Sequence, residues 1–505
     1  MKILDCTLRD GGYYSYWDFN PSLIRDYLSI LNTMPIEYIE LGYRQPAKEE
    51  YMGEYAYLPI STIEFCKQYA PSKKLAVMLN LKDVDEEQAS ALVEPLNPAI
   101  SLIRIATAPK AIAKAAHVAA AIKKQGFLVS VNVMYMSIWQ DVPELWLNLH
   151  LLNGIADFFC MVDSYGSIYP DQILDIVSRL KQQLNMPIGF HGHDNLSLAF
   201  ANTLAAIKAG CEIVDVTVMG MGRGAGNLKT ELLLTYLAKM DASINLNSVV
   251  ELCSLFDPLR NLYHWGTSMP YMISGVNSLP QKEIMSMLSQ RRYSVSSIVR
   301  RLQNRLKPHI IKYQTLSAQK AEQPALLVGG GDSVIKHIVA IKAFLHLHPD
   351  MPICFLSAKH IRLFDGIINP RFFCMIGNEG VRVEKQMQHV TSEDRFVVSS
   401  RGETEAYVPE VLHGQTYLLE VSDGVFADTP LALAIEIAEQ VSWNKHLFMV
   451  GFDGYSSSIR EDVYDMMREN QELLDRYAVK FMFVSLLPTE YKNIGYGSVY
   501  FELSK

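Results

Sequence analysis

The residues best suited to metal chemistry stand in two short segments of the first half of the chain. One segment spans residues 5–12 and reads DCTLRDGG, and the other spans residues 191–195 and reads HGHDN. Residues i and i+2 of a strand point to the same side, so His191 and His193 can project together. With the carboxylate of Asp10 they would form a set that binds a divalent metal and leaves positions open for water and substrate. An isolated pair of this kind is weak evidence, so its meaning depends on the elements that position it.

Those elements are eight short apolar runs that alternate with helix-length segments over residues 1–240. The runs lack strict alternation of apolar and polar residues, which is typical of parallel strands buried on both faces. They span residues 3–8, 38–43, 75–81, 101–106, 128–135, 158–162, 187–193 and 213–218. Eight strand–helix units in a segment of this length predict a (β/α)8 TIM barrel, with an open doubly wound sheet as the alternative.

A closed barrel would bring the ends of its strands to one face, where barrel active sites lie. Strand one would then be next to strand eight and close to strand seven, so that Asp10 can complete the set with the two histidines. Further polar residues end or follow other strands: Arg44, Asn80, Arg104, Asn132, Asp163 and Ser164. We expect Arg104 to form an ion pair that lines the barrel. Arg44 and Asn132 are candidates for substrate binding, although an amide satisfied inside the barrel is an equal interpretation of Asn132.

A glycine-rich loop, residues 220–227 with the sequence GMGRGAGN, follows the eighth predicted strand. Its glycines would let backbone N–H groups approach an anion at the start of the next helix. Barrels often bind a phosphate or carboxylate at this position. A plain tight turn would have the same composition, so this loop supports a site only together with the residues above.

The rest of the chain divides into a helical extension at residues 241–324, with helices expected at 246–256, 281–288 and 294–305, and an α/β domain at residues 325–505. The α/β domain has a strand, a glycine turn and a helix start at residues 326–333, a pattern typical of Rossmann-like units that bind a phosphate or nucleotide. The candidate residues are Gly329, Gly330, Gly331, Asp332, Ser333 and Asp453. No acidic residue ends the next predicted strand, which disfavours a dehydrogenase. A non-catalytic domain is the alternative.

Composition and charge exclude several classes of protein. The formal net charge of −8 provides no overall basic surplus of the kind that a nucleic-acid binder needs. No apolar run approaches the roughly 18 residues of a membrane span. The seven cysteines are scattered and form no CxxC pair, which disfavours both a disulfide framework and a thiolate zinc site. These features predict a cytoplasmic protein with no nucleic-acid partner and no membrane span, and they leave a homo-oligomer open.

The motifs of the first half resemble those of the DRE-TIM metallolyases, the HMGL-like or pyruvate carboxyltransferase superfamily. They are most similar to the pattern of 4-hydroxy-2-oxovalerate aldolase. The similar segments are residues 163–166, 191–202 and 222–227. The resemblance covers about residues 1–275 and implies a metal-dependent aldolase or lyase that acts next to the carbonyl group of a 2-oxo acid, with an aldehyde as the other partner.

The resemblance also implies roles for individual residues. Asp10, His191 and His193 would bind Mn²⁺ or Mg²⁺, and Asn227 would support that metal. Arg9 would hold the enolate oxygen of pyruvate, and Ser164 would contact the pyruvate carboxylate. Tyr271 falls where the aldolase pattern has an active-site tyrosine.

Three departures from the family patterns bear on the reaction. Tyr13 stands where the aldolases have a histidine that acts as acid and base; Tyr13, Tyr14 or Tyr271 could move the proton instead, with packing or substrate contact as an equal interpretation of each. Gly12 stands where the related synthases have a glutamate, and residues 220–227 contain no cysteine of the type that the CoA lyases use. An aldolase is therefore favoured over an acyl-CoA condensing synthase of the isopropylmalate or homocitrate type. A second alternative is a nucleotide-sugar-binding or transferase protein of surface-polysaccharide synthesis that uses the domain at residues 325–505.

Overall fold

The computed structural model describes residues 1–96, 98–289, 295, 298–299, 302, 312–377, 379–387, 390–400, 406–422, 429–454 and 461–505. These residues form two compact units, Met1–Ser286 and Met287–Lys505. Most of the helix expected at residues 294–305 lies outside the described residues. No helix in the described ranges has both the length and the apolar character needed to cross a membrane.

Eight parallel strands of the first unit close into a barrel in chain order. They are β1 (Lys2–Asp5), β2 (Tyr38–Tyr43), β3 (Lys74–Asn80), β4 (Leu102–Thr107), β5 (Leu128–Val133), β6 (Phe158–Asp163), β7 (Ile188–Gly192) and β8 (Ile213–Val216). The barrel closes where β1 pairs with both neighbours, since Leu4 lies opposite Tyr38 of β2 and Asp215 of β8. The predicted TIM barrel is confirmed, and the open sheet is excluded for this half of the chain.

Helices surround the barrel and extend the unit beyond it. They are α1 (Thr7–Ser15), α2 (Pro21–Thr33), α3 (Glu54–Tyr57), α4 (Ile60–Tyr69), α5 (Glu86–Val93), α6 (Ile112–Lys124), α7 (Pro143–Asn148), α8 (Pro170–Lys181), α9 (Ala199–Lys208), α10 (Thr230–Leu237), α11 (Leu246–Tyr263), α12 (Met269–Val276) and α13 (Gln281–Ser289). The unit continues past residue 240, where the sequence places the end of the barrel, because α11 and α12 pack against it. The ring of Phe256 in α11 lies 5.5 Å from that of Tyr27, and the side chain of Asn195 donates to the carbonyl of Tyr271 in α12 at 3.0 Å.

The interior of the barrel changes from apolar to charged along each strand. An apolar cluster includes the inward residues Leu4, Tyr38, Ala76, Leu102, Phe158 and Ile213. Because successive side chains of a strand point to opposite faces, the residues two positions further along also face inward. In β2, β4 and β8 these are Glu40, Arg104 and Asp215, all buried. The strands therefore place a charged layer directly below the face where barrel active sites lie.

The second unit is built on a parallel sheet of nine strands in the order β17-β16-β15-β10-β11-β12-β13-β14-β9. The strands are β9 (Gln314–Thr315), β10 (Ala325–Val328), β11 (Ile353–Phe355), β12 (Arg371–Cys374), β13 (Asp394–Ser399), β14 (Thr416–Leu419), β15 (His446–Val450), β16 (Met482–Ser485) and β17 (Gly495–Tyr496). The described helices are α14 (Ser333–Leu347), α15 (Glu379–Gln386), α16 (Pro430–Val441), α17 (Glu461–Tyr477) and α18 (Val499–Glu502).

Both faces of this sheet are buried. Leu327 of β10 belongs to one apolar cluster together with α16, whereas its neighbours Leu326 and Val328 belong to another together with α14. Burial on both faces explains the nearly continuous apolar runs of these strands. Strand β10 pairs with β11 on one side and β15 on the other, so the strand order reverses between β10 and β15.

Candidate active site

The two histidines of the HGH segment lie at the end of β7, and the Nδ1 atom of each faces an oxygen acceptor. The Nδ1 atom of His191 lies 3.0 Å from Oδ2 of Asp215, and that of His193 lies 2.9 Å from the carbonyl oxygen of Asp163. Both partners accept hydrogen bonds, so each Nδ1 carries the proton. Each Nε2 then keeps its lone pair for a metal, which is the usual arrangement of metal-binding histidines. The two rings lie close together, with 5.0 Å between their centroids.

Asp10 and Asn227 lie next to these histidines. We call Asp10, His191, His193 and Asn227 the metal set. One oxygen of Asp10 lies 3.5 Å from Nε2 of His191 and accepts a hydrogen bond from the amide of Asn227 at 2.6 Å. The Oδ1 atom of Asn227 is buried and accepts no hydrogen bond from any described residue. A buried acceptor without a donor is unusual and fits a nearby cation. Imidazole nitrogens with carboxylate and amide oxygens are donors that suit Mg²⁺ or Mn²⁺.

The charged layer joins Asp10 and His191 of this set to the charged residues below them in a closed ring, which we call the charged ring. The ring runs through Asp10, Arg9, Glu40, Arg104, Asp215 and His191, and returns to Asp10. Within it, Nε of Arg9 donates to Glu40 at 2.8 Å, and a terminal nitrogen of Arg104 donates to Asp215 at 2.6 Å. The ion pair expected for Arg104 is confirmed. Every charged group of the ring faces an opposite charge, which fixes the positions of Asp10 and His191 from below.

Electrostatic interactions set the protonation of this site. Burial alone would raise the pKa of Asp10, but Arg9 and the two histidines outweigh burial and lower it. Burial also opposes ionisation of Asp215, yet Arg104 and His191 lower its pKa to about 2. For His193, burial lowers the pKa to about 3, and His191 adds to the effect. At neutral pH the carboxylates are ionised and His193 is neutral, so a cation can bind without displacing protons from them.

Among the described residues, possible ligand atoms on Cys6, His191 and Asp215 also lie within 4.8 Å of one another. The Oδ2 atom of Asp215 accepts from Arg104 and His191, whereas its Oδ1 atom, like that of Asn227, is buried without a described donor. Cys6 is less suited to a metal, because burial raises the pKa of its thiol well above its usual range. A protonated thiol is a poor ligand. We therefore interpret Asp215 as the residue that orients His191.

Three tyrosines were candidates for the proton transfer. The hydroxyl of Tyr13 lies 3.0 Å from that of Tyr43, and its side chain is 36% exposed. The hydroxyl of Tyr14 donates to the carbonyl of Gly224 at 3.4 Å, and burial raises its pKa. Tyr271 is buried in α12, and burial raises its pKa as well. Of the three, Tyr13 has both a phenol partner and access to water.

The structure brings only some of the other predicted residues together. Asn132 lies inside the barrel, where its amide, oriented by its partners, accepts from Arg104 at 2.6 Å and donates to Ser130. Ser164 accepts from the backbone N–H of Tyr135 at 2.9 Å. The guanidinium of Arg44 donates to three backbone carbonyls, those of Tyr57, Leu58 and Leu92. These contacts join Arg44 to the chain that follows β2 and to α5 instead of to the metal set.

The candidate residues of the second unit meet at the point where the strand order reverses. The turn Gly329–Ser333 follows β10, and Asp453 follows β15. The carboxylate of Asp453 accepts from the backbone N–H of Ser333 at 2.9 Å and from its hydroxyl. Lys359 donates to Asp332 at 2.8 Å and to the carbonyl of Gly330 at 3.1 Å. A carboxylate of the chain itself therefore caps the helix start where a phosphate was predicted.

Several residues of the site were not foreseen from the sequence. Glu40 and Asp215 are the only acids within two otherwise apolar strands, and the two-residue period of those strands was the signal that could have identified them. Tyr43, at the end of β2, carried a similar signal. Arg223 lies in the glycine-rich loop, where only the backbone was considered.

Comparison with known proteins agrees with this site. Residues 1–257 match the HMGL-like family, and that match takes in every member of the metal set. The chain belongs to the HMGL-like family. Among its relatives, 4-hydroxy-2-oxovalerate aldolase of Geobacillus genomosp. 3 is 30% identical over 266 residues, which are 52% of this chain and 78% of the relative. The aldolase of that name from Thermomicrobium roseum is 31% identical over 274 residues, 54% of this chain and 74% of the relative.

A solved structure supports the HMGL-like assignment. The N-terminal domain of a Bacteroides vulgatus protein, described as a candidate aldolase, is 45% identical. The match covers 59% of this chain and 99% of that domain, with a TM-score of 0.56. The family and the aldolases related to this chain identify it as an enzyme of carbon–carbon lyase chemistry. The chain is longer than the HMGL-like part and carries the second unit in addition.

Proposed function

We propose that the protein is a divalent-metal-dependent aldolase that makes or breaks a carbon–carbon bond next to the carbonyl group of a 2-oxo acid such as pyruvate. The observation that carries this proposal is that Asp10 lies against both His191 and Asn227, with the His193 ring beside that of His191, both histidine Nδ1 atoms already bonded and an unsatisfied oxygen on Asn227. A metal held there would polarise the 2-oxo group and stabilise the charge that develops on its oxygen.

Arg9 supplies the second stabilising group. Its Nε donates to Glu40, and one terminal nitrogen donates to Asp10. The other terminal nitrogen makes no hydrogen bond to a described residue, so its N–H groups can donate to an enolate oxygen. Because its carboxylate partners hold the guanidinium in place, this donor is in position before the reaction begins, and such preorganisation is a major source of catalysis.

The proton transfer falls to Tyr13 with Tyr43. In the cleavage direction, the 4-hydroxyl of the substrate passes its proton by way of the Tyr13 hydroxyl to water, the C3–C4 bond breaks, and its electron pair passes to the 2-oxo acid as the enolate. The aldehyde then leaves, and C3 takes a proton to give the 2-oxo acid. Tyr13 can exchange protons with Tyr43 across 3.0 Å and with water at its exposed side.

The acyl-CoA synthase alternative is disfavoured by the packing at Gly12. A side chain there would place its Cβ 2.1 Å from the ring of Trp17. The Trp17 indole is itself fixed, since it donates to the carbonyl of Arg9 at 3.0 Å. The glutamate that the related synthases carry at this position would therefore collide with a buried ring.

The test is exchange of the pyruvate methyl protons with deuterium, followed by NMR. Chelator-treated protein should be inactive, and Mn²⁺ or Mg²⁺ should restore exchange. His193→Ala should abolish both exchange and the release of pyruvate from 4-hydroxy-2-oxopentanoate, whereas His117→Ala, on the exposed side of α6, should retain both. Wild-type protein that neither exchanges nor releases pyruvate with any divalent metal would refute the proposal.

We further propose that the second unit is a Rossmann-like domain that binds a nucleotide or nucleotide sugar. This is supported by the reversal of strand order between β10 and β15, the position where open parallel sheets bind ligands. Because Asp453 already caps the helix start, we assign it to sugar hydroxyls and assign the amine of Lys359 to phosphate. Thermal shifts of the full chain with CMP, UDP and GDP sugars should be lost in Asp453→Asn and kept in Asp350→Asn, which lies before β11 at the opposite edge. Equal shifts in both variants, or none in wild type, would exclude this site.

All seven cysteines are free thiols. This supports our proposal that the protein works in the reducing cytoplasm. Self-association stays a prediction, and size-exclusion chromatography with light scattering would measure it.

A further inference from the structure

Arg223 is a partly buried arginine at the carboxyl end of the barrel strands, which we call the mouth of the barrel. It lies in the glycine-rich loop, four residues before Asn227, with its guanidinium carbon 5.1 Å from the centre of the Tyr13 ring. Among the described residues, none forms an ion pair or a hydrogen bond with this guanidinium. Its Nε atom is buried and lacks any partner.

The arginines that are buried within the described part of the chain all pair with carboxylates. Arg9 and Arg104 pair with the carboxylates of the charged ring, and Arg371 of the second unit forms two hydrogen bonds with Asp394. A guanidinium stays protonated, and withdrawing it from water without an anion is unfavourable. Among the described residues, the positive charge of Arg223 at the mouth of the barrel therefore has no paired carboxylate.

The groups around Arg223 place its charge at the same end of the barrel as the metal set. Asp10, Tyr13, Tyr43 and Tyr135 all act on it electrostatically, so it belongs to the mouth that holds the metal set. Asp10 is already occupied by Arg9 and Asn227. The tyrosines offer ring faces and hydroxyls to the guanidinium. An anion that enters with the substrate is the missing partner.

We propose that Arg223 binds a second anionic group, carried by the substrate in addition to its 2-oxo acid carboxylate. The shared chemistry is a carboxylate or phosphate at the end of the acceptor aldehyde, which a guanidinium binds in a charge-assisted pair. This inference rests on the aldolase function proposed above and narrows its substrate class to anionic aldehydes. It makes Arg223 a specificity-determining residue.

Binding of two unreactive 2-oxo acids tests this inference apart from turnover. 2-Oxoglutarate and 2-oxopentanoate have the same chain length and differ by the second carboxylate, and calorimetry of the Mn²⁺-loaded full chain gives both dissociation constants. We expect 2-oxoglutarate to bind at least about tenfold more tightly, because its second carboxylate forms a charge-assisted pair with Arg223. In Arg223→Gln the ratio of the two constants should fall to about one, and in Arg223→Lys it should be partly kept.

Arg179→Gln is the matched control, because Arg179 also lies over an aromatic ring, 3.6 Å from the centre of Trp146, but on α8. It should keep the preference of the wild type. Equal affinities in wild type and in Arg223→Gln would overturn the inference and leave the aldolase function standing. Failure of wild type to bind either 2-oxo acid would overturn both.

Condensation of pyruvate with three aldehydes distinguishes a carboxylate from a phosphate as the group that Arg223 binds. Acetaldehyde is neutral, glyoxylate carries a carboxylate, and glycolaldehyde phosphate carries a phosphate. We expect one of the two anionic aldehydes to have a kcat/KM at least about tenfold above that of acetaldehyde, and this preference should disappear in Arg223→Gln. If Arg223 bound the pyruvate carboxylate instead, its loss would weaken all three reactions equally, and the inference would be wrong.

Discussion

The Oδ2 atom of Asp215 lies 3.0 Å from Nδ1 of His191, so a carboxylate in the barrel interior determines which imidazole nitrogen faces the metal set. The same atom accepts from Arg104 at 2.6 Å. Asp215 therefore connects the charged ring to the imidazole of His191.

Asp215→Asn should weaken metal binding by about 10–100-fold, the usual effect of losing such a partner. The amide of the variant has no negative charge with which to accept from both His191 and Arg104. The imidazole of His191 therefore loses the partner that fixes its tautomer. Mn²⁺ binding measured by electron paramagnetic resonance gives the affinity. The control Asp157→Asn removes a carboxylate that pairs with Lys123 before β6 and should bind Mn²⁺ as wild type does. Unchanged affinity in Asp215→Asn would show that the contact does not orient His191.

Glu40→Gln should lower the free energy of unfolding of the barrel unit by about 3–5 kcal/mol, the cost of breaking a buried ion pair from one side. Glu40 is fully buried between Arg9 and Arg104, so its neutralisation leaves two guanidiniums with one carboxylate fewer. Glu37→Gln, three residues earlier, breaks an exposed pair with Lys74 and should cost at most about 1 kcal/mol. Urea unfolding followed by tryptophan fluorescence measures both, and equal losses would contradict the argument.

Tyr13→Phe should reduce kcat for aldol cleavage by about 10²–10⁴-fold, the range for loss of a general acid or base. The phenyl ring keeps the contacts with Trp17 and Arg223, so the KM for substrate should change little. Tyr16→Phe is the control, since that tyrosine is 62% exposed and ends α1. Full activity of Tyr13→Phe would move the proton transfer to another group.

Asp5→Asn should change how stability depends on pH. Burial raises the pKa of Asp5 above 3.8, although Tyr27, Thr7 and Thr230 donate to it. The folded chain thus binds this proton more tightly than the unfolded chain, and Asp5 lowers the free energy of unfolding as pH rises through 3.8 and then through the folded pKa. The variant cannot titrate, so its stability relative to wild type should increase from about pH 4 to about pH 8.

Denaturant unfolding at both pH values measures this difference. The exposed Asp171→Asn in α8 is the control for replacing a surface carboxylate by an amide. A difference for Asp5→Asn that shrinks with rising pH would mean that its hydrogen bonds outweigh burial.

The barrel could be predicted from the sequence because its signals are local, and the metal set stays a prediction that rests on the same signals. Buried parallel strands give apolar runs, and the chain order of a barrel places the ends of strands one, seven and eight together. Helix α1 was not predicted, because Gly11 and Gly12 disfavour a helix by propensity. Tertiary packing decides there, since Trp17 covers Gly12 and bonds to the carbonyl of Arg9.

The charged ring could not be derived from the sequence in the same way. Its pairs join residues far apart in the chain, such as Arg104 and Asp215, and depend on the strand register and on which rotamer each arginine adopts. For Arg223, the informative property is the lack of a partner, and this can be recognised only once the neighbours of its guanidinium are known.

The charged ring also has a consequence for charge balance. It combines the carboxylates of Asp10, Glu40 and Asp215 with the guanidiniums of Arg9 and Arg104, which leaves one net negative charge. A divalent cation reverses that sign, and a 2-oxo acid with one carboxylate then brings the ring, metal and substrate to neutrality. Arg223 adds one positive charge to this sum, which a substrate with two negative charges would offset under the inference drawn above.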